Sequence, residues 1–174
     1  MRERSGLITS AELADIIDQP DLRLFDCTTY LEPAPDGSNV PYNVVPGRHT
    51  YEAGHIPNAD FLDLQGEFSD EGTELRFMMP EVAQLEAAFG RHGVGANSRV
   101  VLYSIGTPMW ATRFWWMLKS LGFDNASVLD GGFDKWKAEG RAIQSGPAKR
   151  YPRATFTAKP RRGYFVGKEV VLAA

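Results

Sequence analysis

The sequence has almost no cysteine: Cys27 is the one thiol in 174 residues, which excludes an internal disulfide and a cysteine-based zinc site. It also lacks a long apolar run, and no stretch approaches the roughly 20 residues that span a bilayer. Positive charge is not in excess. Nineteen Lys and Arg against 22 Asp and Glu leave a net charge of −3, too little positive potential to mark a nucleic-acid partner or an anionic membrane. The opening Met1-Arg2-Glu3-Arg4-Ser5-Gly6 leads into no apolar segment, so the sequence predicts no secretory signal and a cytoplasmic protein. What is present, 43% hydrophobic and 24% charged residues, is the composition of a globular domain large enough to bury a core.

Short apolar runs alternate with helical periods. Leu7-Ile8-Thr9 reads as a strand, after which Ser10 opens a capped amphipathic helix with Leu13, Ile16 and Ile17 on one face. Residues 22–27 form a second strand, ending in Asp26-Cys27-Thr28-Thr29. Residues 31–54, rich in Pro, Gly and Asn, show neither period and predict a long loop. Further strands are expected at 59–62, 100–103 and 127–129, with helices at 80–90, 110–121 and 133–139. Strands separated by crossover helices predict a doubly wound, mainly parallel α/β sheet flanked by helices. After Gly140 the chain becomes basic and proline-bearing through Lys149, Arg150, Arg153, Lys159, Arg161 and Arg162, as a linker does. Residues 165–174 then begin a fresh apolar-periodic helix that stops without a cap, which predicts a longer parent protein.

Chemistry is concentrated between the 100–103 strand and the helix that follows. Ser104, Ile105, Gly106, Thr107, Pro108 and Met109 form a loop where backbone N–H groups point outward, a natural place for an anion. Ser104 sits at its hinge. A serine nucleophile needs a base to activate it, and none is placed for it by the sequence. His55, in Gly-His-Ile-Pro, reads as a structural histidine bonded to backbone, and Asp26 as an acceptor for loop N–H groups. Cys27 reads as a small buried hydrophobe, its thiolate disfavoured by neighbouring Asp26. His49 and His92 have no carboxylate or cysteine at metal-ligand spacing, so no metal or cofactor is predicted. Gly131-Gly132 marks a tight turn into the last predicted helix of the sheet, on which Trp136 packs as a core residue.

Four segments in order carry a family resemblance. They are Leu24-Phe25-Asp26-Cys27-Thr28; Tyr51-Glu52-Ala53-Gly54-His55-Ile56-Pro57-Asn58-Ala59; the loop and helix of residues 103–122; and Val128-Leu129-Asp130-Gly131-Gly132-Phe133-Asp134-Lys135-Trp136. Together they resemble the N-terminal domain of a tandem rhodanese-type sulfurtransferase of the thiosulfate or 3-mercaptopyruvate class. The resemblance implies a rhodanese-like domain over residues 1–145, with 146–174 as a basic linker and the start of a second repeat. It implies that the family moves sulfane sulfur from thiosulfate or 3-mercaptopyruvate to a thiophilic acceptor, cyanide or a thiol, through a cysteine persulfide cradled by the loop. Ser104 stands where that cysteine would be, so the chain is expected to be inactive alone and its partner to be a second rhodanese domain of the same polypeptide. The competing expectation is a free-standing, non-catalytic rhodanese module used for binding or regulation.

Two enzyme classes fit less well. A hydrolase elbow needs Gly-x-Ser-x-Gly, but Leu102 holds the first glycine position and all three histidines precede Ser104. A rhodanese-related phosphatase needs a loop cysteine and an arginine clamp, whereas positions 104 and 110 are Ser and Trp. The helix after the loop is apolar around much of its circumference, and three of its residues, Trp110, Arg113 and Trp116, are candidates to face the second domain.

Overall fold

The computed structural model describes residues 6–174; residues 1–5, part of the signal-free start predicted above, lie outside the described residues. Strands β1 (Leu7–Ile8), β2 (Leu22–Asp26), β5 (Asp60–Phe61), β6 (Arg99–Tyr103) and β7 (Ala126–Leu129) pair in parallel in the order β1-β7-β6-β2-β5. Antiparallel β3 (Thr29–Pro33) and β4 (Tyr42–Pro46) form a separate hairpin. Helices α1 (Ser10–Ile16), α2 (Arg48–Ala53), α3 (Leu64–Glu67), α4 (Val82–Arg91), α5 (Met109–Ser120), α6 (Gly132–Ala138) and α7 (Lys168–Leu172) complete the described chain. Among the described residues, no helix is long and apolar enough to cross a membrane.

The two-residue period of the strands divides the core into halves. In β6, Val100 and Leu102 join one cluster while Val101 and Tyr103 join the other. Phe25 of β2 belongs with the first and Leu24 with the second. The first cluster takes Leu85, Ala88 and Phe89 of α4 and Ala111, Phe114 and Met117 of α5. The second takes Leu13 of α1, Tyr51 of α2 and Phe133 and Trp136 of α6. The sheet is therefore covered on both faces, as the strand–helix alternation predicts.

Three expectations are corrected. Thr9 caps α1: its hydroxyl accepts from the Glu12 N–H and Glu12 accepts from the Thr9 N–H, a reciprocal capping box. Ser10 is instead the first helical residue and donates its hydroxyl to Glu139 at 2.6 Å. Residues 31–54 are not one loop, because β3, β4 and α2 lie across them. The Pro, Gly and Asn of the connection between the hairpin strands mask two strands whose pairing is with each other. Finally, residues 146–161 are not a loose linker. Tyr151 and Phe156 are buried in the first core cluster, and the Tyr151 hydroxyl accepts from the Leu24 N–H and donates to the Asn58 carbonyl at 2.5 Å. The Ala154, Lys159 and Arg161 N–H groups donate to the carbonyls of Gly90, Leu121 and Ser120. Gly122 leaves room for this strap: a Cβ there would sit 2.6 Å from the Lys159 carbonyl oxygen.

His92, at the end of α4, shows what spacing in sequence cannot. Its Nδ1 lies 2.7 Å from Asp60 of β5 and its Nε2 lies 2.6 Å from Glu67 of α3. Burial works against charge on this ring, but the two carboxylates outweigh it and lift its pKa to about 9. A histidine whose pKa is raised on folding stabilises fully below its unfolded value of about 6.5 and loses that contribution as pH climbs through the folded value. The urea midpoint should therefore correspond to roughly 2 kcal/mol less stability at pH 8 than at pH 6, and His92→Gln should remove most of the difference. A chain ended after Ser145, lacking Tyr151 and Phe156, should lose about 3 kcal/mol or more of stability and bind an apolar dye, measured by urea unfolding and dye fluorescence.

Candidate functional site

The parallel register sets Asp26 beside Tyr103, so β2 and β6 end together, and the Cys27 N–H donates to the Tyr103 carbonyl at 2.8 Å. One residue further, the Thr28 N–H and hydroxyl both donate to Asp26 Oδ1, at 2.9 and 2.6 Å. The Thr28 hydroxyl in turn accepts from the Ile105 N–H at 3.1 Å. A buried carboxylate is thereby wired through one threonine to the first amide of the loop. Burial pushes the Asp26 pKa up to about 6 against the pull of the Thr28 hydrogen bonds, and Oδ2 has no hydrogen-bonded partner of its own. Asp26 accepts bonds, as expected, though its link to the loop runs through Thr28.

Ser104 is buried at the end of β6, and its hydroxyl donates to the Thr107 carbonyl at 2.6 Å. The hydroxyl thus pins its own loop. No histidine ring bonds to it. His55 Nδ1 lies 2.7 Å from the Tyr51 carbonyl with its ring stacked on Tyr51 at 3.9 Å, and His92 is held by its two carboxylates. His55 is structural, as its sequence context predicts. Among the described residues, no group of three His, Cys, Asp or Glu side chains is arranged to hold a metal ion. Cys27 is wholly buried, and burial together with the Asp26 charge pushes its thiol well above the usual range.

The remaining loop residues are already engaged. The Gly106 N–H donates to Asp134 Oδ2 at 2.7 Å, the Thr107 N–H to the Ile105 carbonyl at 2.8 Å, and the Met109 N–H to the Thr107 hydroxyl at 3.3 Å. Pro108 has no N–H and precedes α5 without a side-chain cap. Two clefts flank the loop. One, of about 350 Å³, is lined by Ser104, Gly106, Thr107, Thr112, Asp130 and Asp134. The other, of about 380 Å³, lies between the hairpin side and α6 and includes Tyr30, Thr50, Ile105, Phe133 and Lys137. Thr28 and Asp134 are the loop's side-chain partners that sequence reasoning passed over. Asp134 lies inside the Gly-Gly-Phe-Asp string, but its meeting with Gly106 follows from β7 lying next to β6.

The face of α5 divides the three interface candidates. Trp110, offered above as an interface candidate, is 6% exposed and belongs to the first core cluster, with Phe77 against its ring; it is a core residue. Helical spacing turns it inward on the side of Phe114 and Met117. Arg113 donates to the Phe77 carbonyl at 2.7 Å and lies over the Phe165 ring. Trp116 is 40% exposed, donates to the Tyr164 carbonyl and packs on the Tyr164 ring. Both therefore hold Tyr164 and Phe165, just past the strap. The stripe of Met109, Thr112 and Trp116 is the side of α5 that remains exposed.

A parallel sheet covered on both faces, with a strand–loop–helix at its centre, is the fold of solved sulfurtransferases. SseA of Escherichia coli, a 3-mercaptopyruvate sulfurtransferase, matches with a TM-score of 0.75 and 28% identity over 97% of this chain and 61% of that one. The 3-mercaptopyruvate sulfurtransferase of Leishmania major matches with a TM-score of 0.69 and 25% identity, over 92% of this chain and 43% of that one. The family model for the rhodanese-like domain matches residues 9–139, and the chain belongs to that family. Among curated relatives, the 3-mercaptopyruvate sulfurtransferase of Escherichia coli K12 is 30% identical over 146 residues, 84% of this chain and 48% of its own length. The thiosulfate sulfurtransferase of Gallus gallus is 35% identical over 127 residues, 71% of this chain and 43% of its own. The chain spans about half the length of these relatives or less.

Gly132 holds the two turns of the site together. Its φ is +57°, and a Cβ would meet the Ser104 carbonyl oxygen at 2.5 Å, so both strain and clash oppose any side chain. Gly132→Ala should cost about 2 kcal/mol or more and weaken protection of the loop amides, read by urea unfolding and amide hydrogen exchange.

Proposed function

We propose that this chain is the non-catalytic, N-terminal rhodanese-like domain of a sulfurtransferase that moves sulfane sulfur from thiosulfate or 3-mercaptopyruvate to cyanide or a thiol. One observation carries the reading: the loop position that must supply a thiolate holds Ser104, whose hydroxyl is spent on the Thr107 carbonyl. An alkoxide at neutral pH requires a base within hydrogen-bond reach, and the histidine rings nearest in sequence bond elsewhere. An oxygen nucleophile also cannot store a sulfur that a later thiophile removes. The persulfide chemistry then belongs to a second rhodanese domain of the same polypeptide, which would also provide the sites for donor and acceptor.

Relatives about twice as long support that partner. So do the exposed stripe of α5 and, separately, α7, where Val170, Val171 and Leu172 are all exposed. The single buried thiol fits the reducing cytoplasm. A thiosulfate-to-cyanide assay on the 174-residue chain should give background turnover, unchanged by Ser104→Ala. Turnover above background that Ser104→Ala abolishes would overturn the reading. Addition of a separately produced domain with a loop cysteine should give activity, and should shift the indole signal of Trp116. A chain that stays inert toward every such domain would instead be a free-standing binding module.

A further inference from the structure

We infer that Asp134 is a built-in occupant of the loop and the residue that keeps oxyanions off it; the inference rests on the reading of residues 104–109 as a retired site. The argument starts from the backbone. Of the loop's amides, those of Ile105, Gly106, Thr107 and Met109 each have an acceptor, and Pro108 offers none. Three of those four acceptors are neutral: the Thr28 hydroxyl, the Ile105 carbonyl and the Thr107 hydroxyl. The fourth, on Gly106, is a carboxylate oxygen at 2.7 Å, the length of a charge-assisted bond. Gly106 is exposed, as Thr107 and Met109 are, and nothing lies within 4 Å of the place a side chain would fill. Of the loop amides that carry an acceptor, the one at Gly106 is thus covered by an anion belonging to the protein itself.

Location makes Asp134 a fixed cover. It lies in the first turn of α6, and the turn before it is locked against the loop by Gly132, whose packing on the Ser104 carbonyl admits no side chain. The Phe133 N–H donates to that same carbonyl at 3.3 Å. An approaching oxyanion therefore has to displace a carboxylate whose backbone cannot retreat. It also has to enter a cleft lined by two carboxylates, Asp130 and Asp134. Lys135 pairs with Asp130 at 2.8 Å, so its charge is already committed within the turn. Loss of the thiol is consequently only one of two changes that silence this loop; the other is electrostatic. Removing the carboxylate should free the Gly106 amide to donate to an external oxyanion.

The test is a titration of the 15N-labelled 174-residue chain with thiosulfate and with sulfate, followed through the amide resonances of residues 105–107. The wild-type loop should not respond. Asp134→Ala should show saturable shifts confined to the loop, with affinity at least about tenfold above any wild-type response, the equivalent of about 1.4 kcal/mol. A wild-type loop that binds as tightly as Asp134→Ala would overturn the inference, and so would a folded Asp134→Ala loop that binds neither anion. A second measurement stands apart from that variant's stability. The Gly106 amide of the wild type should exchange slowly and resonate downfield, and Asp134→Asn should move it upfield; an unmoved Gly106 resonance would also overturn the inference. None of these readouts involves sulfur transfer, so activity in the turnover assay would refute the proposed function without deciding this point.

Discussion

The parallel pairing of β6 between β2 and β7 is the constraint on which the rest depends. It brings three strand ends to one edge of the sheet, and each end contributes a turn: Thr28 after β2, the Ser104 loop after β6 and Gly131-Gly132 after β7. The same pairing sends alternate residues of β6 into two separate cores, so each face of the sheet needs its own helices. A shift of one residue in register would exchange those faces and move Ile105 away from Thr28. The site is therefore a by-product of how the core is filled. It persists whether or not chemistry is performed there.

That separation lets the loop be held by the protein's own polar groups. The Ser104 hydroxyl satisfies the Thr107 carbonyl internally. Asp26 and Thr28 supply the first amide's acceptor from inside the protein. The outcome is a strand–loop–helix stabilised by its own polar groups, where a catalytic one must leave some of them free for substrate. Buried hydrogen bonds that are complete favour rigidity.

Much of this was legible in the sequence, for reasons that differ by element. The strands of the main sheet and the helices α4 and α5 announced themselves because their periods reflect burial on one or both faces. The loop was legible because Ser104, Gly106 and Pro108 punctuate a strand-to-helix junction. The β3–β4 hairpin was not, since its strands pair only with each other and little of either is buried. Trp110 was placed on the wrong side of α5: an apolar helix read alone does not reveal which tryptophan meets Phe77. The His92 bridge and the Asp134 cover join residues 25 to 32 positions apart, and only the three-dimensional path of the chain brings them together. The strap over residues 146–161 was hidden by its composition, because Tyr151 and Phe156 stand among basic residues and prolines that read as a linker.

Tyr151 carries a consequence for how the polypeptide is made. Its hydroxyl joins Leu24 to Asn58, the first of these from 127 residues away, and the N-terminal β1 pairs with β7, the last strand of the sheet to be synthesised. Neither core can close while the nascent chain is short. Contacts of such long sequence separation slow folding, because the loop between them must be closed before any of their energy is gained. On the ribosome, the domain must wait for its strap to emerge, holding Phe25 and Phe89 uncovered in the meantime. The segment that looks like the way out of the domain is the last piece of its interior to arrive.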